Sequence, residues 1–126
     1  MAVTSAVHTL VVTPELTAAT VGSGLLPVFA TPMAAAFMES TACLCLDSLP
    51  EGETTVGVRI DIQHLKASAV GETLTCRATL VRQEGRRYWF DIRVLNARGE
   101  EVAVASHERV RVDSGRFMAK VQAAVQ

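Results

Sequence analysis

A chain of 126 residues with a formal net charge of −1 has the size of one domain with a single core, and it lacks the basic excess of a nucleic-acid binder. Apolar residues make up 49% of it, enough for a core and for an apolar face against a second copy. Cys43, Cys45 and Cys76 are odd in number and have no histidine pair nearby, so they read as small core residues in a reducing compartment, neither a disulfide framework nor a zinc site.

Met1 is followed by no basic segment and no apolar signal core, which predicts a cytoplasmic chain. No repeat, linker or low-complexity run divides the sequence, so residues 1–126 are taken as a single domain. His8 to Val12 predicts a short strand. A second short strand is predicted near Ala19 to Val21, and Gly22-Ser23-Gly24 is a flexible joint after it.

Leu25 to Leu46 then runs with one charged residue, Glu39. Thr31-Pro32 predicts a helix start, with Thr31 at the N-cap and Pro32 at the first helical position. The helix is expected to continue to about Leu46, and Asp47-Ser48-Leu49-Pro50 ends it, because proline cannot extend it. Its length is about 24 Å at 1.5 Å per residue. It is apolar almost all round, which predicts burial, yet it is too short and too polar in its flanks to cross a membrane. Burying a carboxylate there costs several kcal/mol unless something pairs with it or it takes a proton. Glu39 is therefore either a site residue or a helix-edge residue that reaches water or bonds a neighbour such as Ser40 or Thr41.

Thr54 to Leu65 alternates as a strand, with Val56, Val58, Ile60, Ile62 and His64 on the face expected to meet the helix. Gly57, Arg59, Asp61 and Gln63 are expected on the other. His64 is the second polar residue of the core face. Leu74, Cys76, Ala78 and Leu80 form the inward row of the next strand, and Tyr88, Phe90, Ile92 and Val94 that of the following one. Gln83-Glu84-Gly85-Arg86 and Asn96-Ala97-Arg98-Gly99 are hairpin turns. Glu101 to Val112 is the last strand. There His107 and Arg109 share a face opposite Glu108, so the three cannot form a compact triad, and Arg109 reads as an ion-pair or interface residue. A short amphipathic helix carrying Phe117, Val121 and Val125 follows. The plan is α+β, an antiparallel sheet wrapped around one buried helix. Its two sheet edges and the outward Val81, Trp89 and Leu95 predict a homodimer.

Three stretches carry a family resemblance. VFATPMAAAFMESTAC resembles the central helix of fluoroacetyl-CoA thioesterase-like proteins. GVRIDIQHLKASAVGETL resembles their next strand, and ASHERVRVDSGRFMAKV their last strand and C-terminal helix. The resemblance implies the hotdog fold, thioester hydrolysis of acyl-CoA at sites on a dimer interface, and a catalytic set that falls on Thr31, Glu39 and His64. CoA enters as part of the substrate; no separate cofactor and no metal is expected, and neither nucleic acid nor membrane is an expected partner. Gly57 matches a family glycine that leaves room for an acyl group. Leu25 stands, with Leu26, before Thr31 where the acyl group would lie, and neither is aromatic. Arg86 and Arg87, on a basic hairpin with Arg82, suit CoA phosphates. The competing readings are a non-catalytic acyl-CoA or acyl-carrier binding protein, and a hotdog hydratase or dehydratase, whose usual Asp and His pair is not found. Pairing of dimers into a tetramer, the acyl group and the carrier stay open.

Overall fold

The computed structural model describes residues 4–125; Met1, Ala2, Val3 and Gln126, which the single-domain reading included, lie outside it. The chain order is β1 (Ser5–Val11), a 3-10 turn (Pro14–Leu16), α1 (Ala18–Val21), α2 (Thr31–Cys43), β2 (Glu53–His64), β3 (Thr73–Glu84), β4 (Arg87–Leu95), β5 (Glu101–Asp113) and α3 (Ser114–Ala123). The five strands form one antiparallel sheet in the order β1-β3-β4-β5-β2. The sheet curls over α2, as its pattern of apolar inward rows requires.

The inner rows of β3 and β4 fall as their alternation predicts. Leu74, Cys76 and Ala78 are buried, as are Tyr88, Phe90, Ile92 and Val94. They close on Ala34, Phe37, Met38 and Ala42 of α2. Each fully buried large side chain there contributes about 1.5–3 kcal/mol. Cys45 and Cys76 belong to this core, and burial pushes the Cys76 thiol up to about 11; Cys43 is exposed.

Five expectations change. Ala18–Val21 is a helical turn, not a strand, because the Thr17 side chain accepts from the Thr20 amide and Gly22 closes it at φ 90. The N-cap of α2 is Ala30, which puts Thr31 one position inside the helix. Regular α-helix stops at Cys43, and the chain tightens to i→i+3 bonds as far as Leu46. Nor is α2 buried all round, since Pro32, Ala36, Ser40 and Cys43 are exposed on the side away from the sheet.

The fifth change matters most for the site. The β2–β5 register shifts between Gly57 and Arg59, leaving Val58 as the extra residue of a β-bulge. A bulge reverses the faces of everything before it. Thr55 and Gly57, opposite Arg111 and Arg109, therefore join Ile60, Ile62 and His64 on the inner side. Val56 and Val58 leave the inner row, and Val58 is half exposed. Among the described residues, no helix is long and apolar enough to cross a membrane.

Candidate active site

Two clusters of polar side chains flank α2, one at its start and one roughly two turns further on. At the start, Thr31 Oγ1 lies 2.8 Å from His64 Nδ1. Because Ala30 rather than Thr31 caps the helix, the hydroxyl is not used on the helix's own amides. The Thr31 amide also meets no backbone acceptor among the described residues, as the first amides of a helix do not. His64 ends β2 with its ring edge against Phe29. Burial lowers its affinity for protons, and the Lys66 backbone offsets this in part. Its Nε2 is buried without a hydrogen-bond partner. A cleft of about 340 Å³ opens here, lined by Val28, Phe29, Thr31, His64 and Lys66 among others.

The second cluster is built on Glu39. Its Oε2 accepts from Arg109 Nη1 at 3.1 Å and lies 3.8 Å from His107 Nε2. Arg109 is 7% exposed, and three acceptors besides Glu39 hold its guanidinium. Nε donates to Thr55 Oγ1 at 2.8 Å, Nη2 to the Thr55 carbonyl at 3.0 Å, and Nη1 also faces His107 Nε2 at 3.2 Å. The only carboxylate of the helix is thus paired with a fixed cation, while its side chain stays 39% exposed. A cleft of about 240 Å³ lies over it, walled by Gly57, Val58, Arg59, Ile60 and His107.

Gly57 belongs to this second cluster. A Cβ there would collide with Glu39 Oε2 and stand 3.3 Å from both Arg109 Nη1 and His107 Cε1. The missing side chain makes room for the carboxylate itself, where the sequence suggested room for an acyl group.

The structure brings Thr31 and His64 together and leaves Glu39 apart. At 1.5 Å per residue, Thr31 and Glu39 are about 12 Å from each other along α2. Leu25 is 94% exposed and lines neither cleft. Arg87 pairs with Glu108 on the outer face of the sheet, and Arg82 pairs with Glu84 and stacks 4.3 Å from the Trp89 ring. Arg86, at the exposed hairpin tip, has no ion pair among the described residues. Sequence reasoning placed Arg109 and His107 on one face but did not give them to Glu39. Two polar residues on the inner row of a buried strand were the available signal.

A five-stranded sheet of this order around a single helix, with a carboxylate on that helix, is the architecture of the hotdog-fold thioesterases. The model of the family described as fluoroacetyl-CoA-specific thioesterase (FlK) matches residues 12–115, and the chain belongs to that family. It is by class a thioester hydrolase. A threonine-to-serine mutant of FlK in complex with acetyl-CoA is similar at 27% identity over 100% of each chain, with a TM-score of 0.92. A Thermus thermophilus thioesterase superfamily member is 27% identical over 95% of this chain and 89% of its own, TM-score 0.88. A hot-dog-like protein from Thermanaerovibrio acidaminovorans is 28% identical over 98% and 91%, TM-score 0.88. No curated protein matches the chain in sequence.

Proposed function

We propose that this protein hydrolyses a small acyl-CoA thioester at two equivalent sites, each assembled from Thr31 and His64 of one copy and Glu39 of another. The observation that carries the reading is the separation of two incomplete clusters along one free edge. Both clefts border β2, the edge strand of the sheet, and α2, whose outer side is uncovered. An antiparallel pairing of two β2 edges centred near Ile60 sets Gly57 of one copy across from the partner's His64. That pairing hides a twelve-residue edge and covers the exposed Val58. It also carries Glu39 toward the partner's Thr31.

Each group then has a role. The Thr31 amide, at the positive end of α2, meets the oxyanion that develops on the thioester carbonyl. Glu39, held in place by Arg109, presents its unbonded Oε1 to that carbonyl as nucleophile, or to a water as base. With the Thr31 hydroxyl donating to Nδ1, His64 carries its proton on Nε2, which no protein group engages among the described residues and which is left for the leaving thiolate. Acetyl-CoA, CoA and fluoroacetate are bound in the solved FlK structures, which supports a short acyl group on CoA here.

The test is release of free thiol from short, branched and aryl acyl-CoAs, wild type beside Glu39→Gln. We expect turnover on at least one ester and a loss on the order of 10³-fold in the variant, with CoA-ester binding retained by titration. Full activity of Glu39→Gln would overturn the assignment. Binding without turnover in the wild type would make the protein an acyl-CoA carrier.

A further inference from the structure

Beside Glu39 lies a histidine that the reaction scheme above leaves unused. His107 is 3% exposed on the inner face of β5, next to the ring of Phe90 with centroids 6.0 Å apart. Both its nitrogens are nevertheless satisfied. Nδ1 lies 2.7 Å from the carbonyl of Arg59, where the bulge at Val58 interrupts the ladder. A carbonyl only accepts, so Nδ1 carries the proton. Nε2 is then a lone pair, and it faces Arg109 Nη1, which only donates. The neighbours thus leave one tautomer and one charge state: a neutral imidazole with its acceptor aimed at the guanidinium that grips Glu39.

We propose that His107 is a positioning residue: as a neutral Nδ1–H imidazole it holds Arg109 Nη1 where that nitrogen fixes the Glu39 carboxylate. The proposal rests on Glu39 being the catalytic carboxylate. Thr55 secures the other two nitrogens of the guanidinium, so among the described residues His107 is the only holder of Nη1 besides Glu39 itself. A protonated His107 reverses the arrangement. Nε2–H would then oppose the Arg109 donors and attract Glu39 Oε2 across 3.8 Å. Arg109 of β5 and Glu39 of α2 are the charged groups that face the ring. β2 offers the Arg59 carbonyl, while the Arg59 side chain turns out to Asp61. β4 offers Phe90. Burial first, then the Arg109 charge, lowers the proton affinity of His107; the Arg59 carbonyl and Glu39 pull the other way. The neutral form therefore prevails at and above the ordinary value of 6.5, and the grip is lost only as pH falls below it.

Three variants of the whole protein test this: His107→Leu, His107→Gln and, as reference, Glu39→Gln. The readouts are kcat and KM on the best acyl-CoA, thermal melting, and kcat against pH. A leucine removes the acceptor, and kcat falls up to about 100-fold, the scale set by misplacing a reacting group by about 1 Å, with KM little changed. A glutamine returns an acceptor oxygen near the place of Nε2, so it recovers most of that loss. Its acid limb in kcat lacks one protonation that the wild type shows. Full kcat in His107→Leu overturns the proposal, as does an equal loss in both variants that follows melting temperature. Should His107→Leu fail to fold, an unchanged acid limb in His107→Gln overturns it. If Glu39→Gln keeps its activity, the underlying reading falls, whatever the histidine variants do. If Glu39→Gln is dead and His107→Leu is normal, the positioning role alone falls.

Discussion

The two ends of the site differ in how completely they are satisfied. At Glu39 the polar atoms are closed on one another: Arg109 donates to Thr55, His107 and the carboxylate, and His107 donates to Arg59. At Thr31 the reverse holds. Among the described residues, the Thr31 amide meets no backbone acceptor and His64 Nε2 is buried with no partner. A buried polar atom without a partner costs about 1–3 kcal/mol, so the Thr31 region is built to receive something and the Glu39 region to hold a charge still. Preorganised charge belongs where the reacting carboxylate is. Unfilled hydrogen-bond capacity belongs where a substrate oxygen or a leaving sulfur arrives. On the proposed function, neither region is a site alone.

The sharpest way to break this comparison is to separate the regions onto different chains. Glu39→Gln and His64→Ala are each expected to be inactive as pure proteins. Mixed and allowed to exchange, they form a hybrid dimer in which one site has the intact Thr31–His64 pair of the first chain and the intact Glu39 of the second. Random pairing in a two-fold dimer restores about a quarter of wild-type activity. If both regions serve one site within a single chain, mixing restores nothing. Thiol release from the mixture, followed over time at fixed total protein, reads the difference directly.

Gly57→Ala is next in expected effect and touches only the closed region. The φ of Gly57 is not in the left-handed range, so alanine brings no backbone strain. Its Cβ falls on Glu39 Oε2 and presses on Arg109 Nη1 and His107 Cε1. A carboxylate end can swing aside, so the protein folds and the carboxylate moves. We expect kcat to fall roughly 10- to 100-fold, with a melting temperature within a few degrees of wild type. An unchanged kcat would mean that the pairing of Glu39 with Arg109 is not needed for turnover.

Much of this was visible in the residues, and the failures have physical causes. The inner rows of β3 and β4 were legible because alternation with period two is unbroken over their cores, from Leu74 to Ala78 and from Tyr88 to Val94. The pairing of Thr31 with His64 was half legible: an inward histidine at a strand end and a hydroxyl at a helix start. Thr31 was misplaced by one position, since both the cap and the first turn can precede a proline. Gly57 was assigned to the wrong face because the bulge at Val58 adds one residue, and one inserted residue inverts the rows before it without altering local composition. The hold of Arg109 on Glu39 joins positions 39 and 109, and nothing local in either segment names the other. Covering of α2 was overread: the chain buries one side of the helix and leaves Pro32, Ala36, Ser40 and Cys43 on the other exposed.

The smallest effect is expected at the hairpin, which contrasts with both regions because its charges face away from them. Arg87 and Arg82 are already engaged by Glu108 and Glu84 on the outer face of the sheet. Exposed pairs of this kind contribute about 0–1 kcal/mol, so their loss changes stability little. Arg86, at the tip between β3 and β4, is the arginine of this hairpin that has no ion pair among the described residues. If it meets a CoA phosphate in the dimer, Arg86→Ala raises KM for acyl-CoA by about 2- to 5-fold, within the range of one solvent-exposed charge contact. Added salt narrows that gap, because an exposed contact is screened over about 10 Å at 0.1 M. kcat is unchanged in either case, as Arg86 lies outside both clefts. A KM equal to wild type at low salt removes Arg86 from substrate binding and leaves phosphate recognition to groups nearer the Thr31 cleft, where Lys66, paired with Glu100 at 3.0 Å, is the cation at hand.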